Sequence, residues 1–217
     1  MSFYIGSQRV CPTIITSTGG TSDGIPREVD TNGVYGTPQS DFTFTLPSNA
    51  TNLGGYALAY AFYSCPHITS ADLSSLTTVS HPYSLYFIFR ECVNLTSIDL
   101  SSLTVISGAS GLYEIAYGAT SLSSVDLSSL TTISGGNALN YAFRGCTSLV
   151  TLSFPSLTSG SFGSNYTNQF SNMLNSVSGC TVHFPSNLQS VIGNWTDVTG
   201  GFGGTNTTVL FDLPATT

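Results

Sequence analysis

The chain has 217 residues, 41% of them apolar, which is enough to fold and to bury a real core. Only 7% are charged, there is no lysine, and four scattered arginines (Arg9, Arg27, Arg90, Arg144) stand against a net charge of -7. Such a surface cannot neutralise a run of phosphates, which argues against nucleic acid and against anionic lipid as partners.

Residues 1–40 hold the apolar segments FYIG and CPTII among Gly, Ser, Thr and Pro, and they read as an N-terminal arm or cap. They lack a basic stretch followed by a long apolar one, so no secretory leader is expected. No stretch of the chain approaches the roughly 20 apolar residues of a membrane span. From residue 41 the pattern changes. SDFTFTLPSNATNLG alternates Phe42, Phe44 and Leu46 to one side, as a first strand would.

DLSSLTTVS then runs from Asp72 to Ser80, DLSSLTVIS from Asp99 to Ser107, and DLSSLTTIS from Asp126 to Ser134, at a constant step of 27. The step continues through whole columns of apolar residues: Leu46, Leu73, Leu100, Leu127, Phe154; Ile68, Leu95, Leu122, Leu149; Leu76, Leu103, Leu130, Leu157; Phe62, Phe89, Ala116, Phe143. One coil alone cannot bury such columns. Coils stacked in register can, and that is the physics of a solenoid. Within a coil, LTSIDLSSLTVIS reads L-x-x-I-x-L-x-x-L-x-x-I, the leucine-rich-repeat pattern of a short strand followed by a turn. Ile98 and Leu100 point inward and Asp99 outward. The other half of each coil, such as ALNYAFRGCTS from Ala138 to Ser148, predicts a short helix or helical turn on the opposite side. Cys65, Cys92 and Cys146 share a column with Ala119, so the cysteines read as small, reduced core residues rather than halves of bridges. NWTDVTGGFGGTNTT is a loop, and TTVLFDLPATT supplies a last strand with Val209, Phe211 and Leu213 inward. The expected fold is therefore a right-handed leucine-rich-repeat solenoid over residues 41–217. It would have seven coils counting its caps, parallel strands on a concave face and short helices or turns on a convex one.

The runs AFRGCTSL (Ala142 to Leu149), AFYSCPHI (Ala61 to Ile68) and IFRECVNL (Ile88 to Leu95), each followed by a strand, resemble the BspA-type leucine-rich repeats. The resemblance covers about residues 41 to 213. The units here are longer than is usual for that family, and the third, IAYGATSL, has lost both its Phe and its Cys. The resemblance implies a bacterial or protist surface protein concerned with adhesion, or a similar array in a phage-encoded protein.

The outward strand column reads Thr45, Asp72, Asp99, Asp126, Ser153, His183, Asp212. Two readings of its three aspartates stand side by side. One is a carboxylate ladder that holds Ca²⁺ or meets a cationic partner. The other is a solvated face softened by hydroxyls such as those of Ser97, Ser101 and Ser124. No recognised calcium loop is present, and no C-x-x-C pair suggests zinc. His67, His81 and His183 are the only candidate bases and G-x-S-x-G is absent, so no catalysis and no cofactor are expected. The tyrosines Tyr83, Tyr86, Tyr113, Tyr117 and Tyr141 form a second candidate contact surface. The expected role is non-catalytic recognition of a protein or glycan through Asp72, Asp99 and Asp126 with their serine neighbours. A structural or assembly subunit, as in a phage tail or surface layer, is the alternative. A cell-surface, extracellular or virion-exposed setting suits the lysine-free surface, and a cytoplasmic one stays open.

Overall fold

The structure, a computed structural model, describes residues 4–5, 8–9, 41–158, 169–192 and 202–215. Strands β1 (Tyr4–Ile5) and β2 (Gln8–Arg9) form a small antiparallel pair. The rest of the expected N-terminal arm, residues 1–40, lies outside the described residues. From β3 (Phe42–Thr45) the chain winds as a β-solenoid of about six turns. Strands β4 (Ile68–Asp72), β6 (Ser97–Asp99) and β8 (Ser124–Asp126) pair in parallel with β3 in the order β3-β4-β6-β8. A second parallel ladder joins β5 (Thr78–Val79), β7 (Val105–Ile106) and β9 (Thr132–Ile133). A third joins β10 (Thr151–Ser153), β11 (Thr181–Pro185) and β12 (Thr208–Leu213).

The predicted columns are the core. Every member of the Ile68, Leu76 and Leu73 columns through Phe154 and Leu157 is buried, most of them completely. Phe62, Phe89 and Phe143 line up behind them, with Phe62 and Phe89 stacked at 5.7 Å between ring centres. Each such side chain is worth roughly 1.5–3 kcal/mol on burial. That benefit is available only when the next coil covers it.

The half-coil expected to form short helices or turns forms turns. From Tyr56 to Cys65 the backbone N–H groups alternate between two destinations. Those of Ala57, Ala59, Ala61, Tyr63 and Cys65 close turns on the carbonyl three residues back. Those of Leu58, Tyr60, Phe62 and Ser64 donate to Ser84, Tyr86, Ile88 and Arg90 of the next coil, at 2.7–3.0 Å. The alternation recurs in the next two coils, as in Phe89 to Ile115 and Ala116 to Ala142. An α-helix would send every N–H four residues back and leave nothing to tie the coils together. The turn train instead satisfies its donors locally and between coils. Every fourth residue carries a positive φ, as at Tyr56, Tyr60 and Ser64, then Tyr83, Phe87 and Glu91. Short helical turns occur at Ser186–Leu188 and Gln189–Ile192.

Two expectations are corrected. Cys92, Cys146 and Cys180 are free and buried, but Cys65 is disulfide-bonded, to a partner outside the described residues. The outward strand column also does not form one ladder. β8 and β10 share no hydrogen-bonded register, and the break coincides with the change from Leu127 to Phe154, whose ring stacks on Phe184 at 5.3 Å.

Candidate functional site

On the strand face, parallel register aligns Ser70, Ser97 and Ser124 in one row and Asp72, Asp99 and Asp126 in the next. Neighbouring carboxylates one strand spacing apart repel by only about 1 kcal/mol in water. Local bonds fix them. Asp72 Oδ1 accepts the N–H of Ser74 at 3.0 Å, Asp99 Oδ1 that of Ser101 at 2.9 Å, and Asp126 Oδ1 that of Ser128 at 2.9 Å. Each is an Asx turn that bends the chain out of its strand. The aspartates thus have a structural task that the spacing alone did not show. Asp126 and Ser124 are exposed, while Asp72, Asp99, Ser97 and Ser101 are half-buried. Among the described residues no group of three or more His, Cys, Asp and Glu side chains is placed to hold a metal ion.

Beyond the break in the ladder, Ser153 is the register partner of His183. His183 Nδ1 meets the Asp212 carboxylate at 2.9 and 3.0 Å. His183 is in register with Leu210 rather than with Asp212, because the 27-residue step of Thr181 and Val182 still holds there, and the pairing shifts only between His183 and Pro185. A Ser–His–Asp line therefore exists. No hydrogen bond joins Ser153 to His183, however, so the nucleophile–base contact that such chemistry needs is missing. His67 Nδ1 lies 3.4 Å from Asp41 in a looser pair.

The turn trains present a different surface, which the sequence reading ranked second. Tyr63, Arg90, Tyr117 and Arg144 stand one above another at the 27-residue step. The guanidinium of Arg90 lies 5.7 Å from the Tyr63 ring centre and 4.3 Å from that of Tyr117, and Arg144 lies 5.1 Å from Tyr117 on its other side. Such contacts are worth about 0.5–1 kcal/mol each at an exposed site. Beside this stack, Tyr56 and Tyr83 are stacked at 4.9 Å, Tyr86 and Tyr113 at 5.2 Å, and Tyr113 meets Tyr141 edge-on at 6.0 Å. Burial pushes the Tyr86 hydroxyl up to about 12, helped by Tyr60 and Tyr113 beside it. Arg90 is paired with both Glu91 and Glu114. Burial raises the Glu114 carboxyl above its ordinary range, against the opposing pull of Arg90. No spacing rule in the sequence would have paired residues 90 and 114, which come together only because the coil is wound.

The family model for the BspA-type leucine-rich repeat region matches the chain in six copies, over residues 39–138 and 110–192, well over half its length. No curated protein matches it.

Proposed function

The chain belongs to the BspA-type leucine-rich repeat family, and on that premise we propose that it is a non-catalytic recognition module for a protein or glycan. Solenoids of this family are typically non-catalytic binding or adhesion modules and are often surface-associated. No described helix is long and apolar enough to cross a membrane. The observation that carries the reading is the strand face. Three Ser-x-Asp rows repeat in register, and each aspartate has one oxygen held by a backbone N–H. A face ordered before binding loses little entropy when a partner arrives.

The test is binding of the labelled chain to a panel of matrix proteins, glycans and bacterial cell walls, with calcium and with chelator. The comparison is the triple variant Asp72→Asn, Asp99→Asn, Asp126→Asn, whose amide oxygens can still close the three turns. A ligand lost by this variant at unchanged melting temperature supports the strand face as the site. A blank for both proteins favours the structural or assembly role instead. That second reading draws on the edge strand β12, whose Leu210 is 37% exposed and whose Val209 and Phe211 are only partly buried.

A further inference from the structure

Arg90 and Arg144 occupy the same place in the repeat, and only Arg90 is ion-paired, while Arg144 acts on Glu114 from beyond ion-pair distance. The partners of Arg90 are Glu91, next in sequence, and Glu114, in the coil that follows. The places corresponding to these around Arg144 are taken by Gly145 and Asn172. The hydrogen-bond frame fixes that correspondence. Tyr117 N–H closes its turn on Glu114 in one coil, as Asn175 N–H does on Asn172 in the other, and both Glu114 and Asn172 sit at positive φ. No described carboxylate lies within ion-pair distance of Arg144. Residues 159–168, which lead into that coil, contain no Asp or Glu.

Arg144 is nevertheless held in place. Its guanidinium lies 5.1 Å from the Tyr117 ring centre and 5.4 Å from that of Tyr141. A guanidinium held over rings and not ion-paired keeps N–H donors for a carboxylate, which it can bind through two parallel bonds. We propose that Arg144, flanked by Tyr117 and Tyr141, is the anchor for an acidic side chain of a protein partner. This contact surface lies apart from the strand face. The repeat supplies the carboxylates at Arg90 from within, and a partner supplies the missing one at Arg144. The surroundings favour a protein over an acidic sugar. Neighbouring rings on this flank cover one another's faces, as Tyr86 and Tyr113 do at 5.2 Å and 24°, and offer hydroxyl-bearing edges rather than free faces for a sugar to stack on. Tyrosine and arginine are also the residues that dominate protein–protein hot spots.

The experiment is fluorescence anisotropy of a labelled oligoglutamate peptide with the full chain at low salt, beside an oligoglutamine peptide and a labelled oligogalacturonate. Because the chain carries a net charge of -7, general electrostatics oppose both acidic probes, and binding has to come from a local site. Binding of oligoglutamate is expected, weakened about tenfold by Arg144→Gln and less by Arg144→Lys, which keeps the charge and loses the fork. A second variant, Asn172→Glu, leaves Arg144 in place and supplies an internal carboxylate as Glu114 does for Arg90. It is expected to abolish binding without lowering the melting temperature, so the test survives if Arg144→Gln fails to fold. Absence of oligoglutamate binding, equal binding by the Asn172→Glu chain, or preference for oligogalacturonate would each overturn the proposal.

Discussion

The hydroxyl of Thr104 donates to the carbonyl oxygen of Thr77 at 2.9 Å, 27 residues back in the chain. Thr131 makes the same bond to Thr104 at 3.0 Å, and on a neighbouring row Thr96 makes it to Thr69 at 2.8 Å. Each hydroxyl ties one coil to the coil before it. This gives the abundance of Ser and Thr a mechanical cause inside the fold: a short hydroxyl reaches the adjacent carbonyl, and a long charged side chain cannot do so at one coil spacing. The Thr77 carbonyl also accepts the N–H of Thr104, so removing the hydroxyl does not orphan it. Thr104→Val is expected to lower the urea unfolding free energy by about 0.5–1 kcal/mol with an unchanged m-value, and Thr104→Ser by less.

Close approach of coils makes a sharper case at glycine. A Cβ on Gly108 would stand 2.1 Å from the carbonyl oxygen of His81, and one on Gly135 would stand 2.2 Å from that of Gly108. Neither oxygen can move without breaking the stack. Gly108→Ala and Gly135→Ala should each lose on the order of 2–4 kcal/mol in thermal or urea unfolding. Gly136→Ala, where nothing lies within 4 Å, should be nearly neutral. Equal effects at all three positions would contradict the stacking geometry.

The buried thiols predict the alkaline limit of stability. Burial pushes Cys92 and Cys146 up from 9.0 to about 12. Both states keep the proton below pH 9. Between pH 9 and about 12 the unfolded chain ionises first, so stability is lost as pH rises through that window. Ala119 shows that the slot accepts alanine. In the double variant Cys92→Ala, Cys146→Ala the alkaline slope of the unfolding free energy should flatten, whatever happens to its value at neutral pH.

Asp99 separates turn from charge. Asp99→Ala removes the acceptor for the Ser101 N–H and should lower stability by about 1 kcal/mol. Asp99→Asn keeps an acceptor oxygen and relieves repulsion from Asp72 and Asp126, so it should be neutral or slightly stabilising in the same assay. A loss shared equally by both variants would mean that the carboxylate charge, not the turn, holds this position.

Much of this architecture was legible from residue spacing. Leu73, Leu100 and Leu127 predicted their own burial because an apolar column at a constant step has only one way to leave water. The alternating hydrogen bonds of the turn trains were not legible. Ala, aromatics and Arg in ALNYAFRGCTS suit a helical turn by composition, and nothing local says that alternate N–H groups will go to another coil. The break between β8 and β10 was equally hidden, since Asp126 and Ser153 keep the 27-residue step across it. The alignment of the Ser and Asp rows followed from the spacing, but their Asx turns did not.

By itself the sequence determined the period, the stacked core and the outward rows of Ser and Asp, because burial acts on residues that recur at one interval. Only the tertiary structure decided which charges meet. Arg90 reaches Glu114 across 24 residues, off the period, while Arg144 in the equivalent place meets no described carboxylate. Such pairs depend on the path of the backbone between repeats, and on where each turn sends its N–H groups, and neither is written in the spacing.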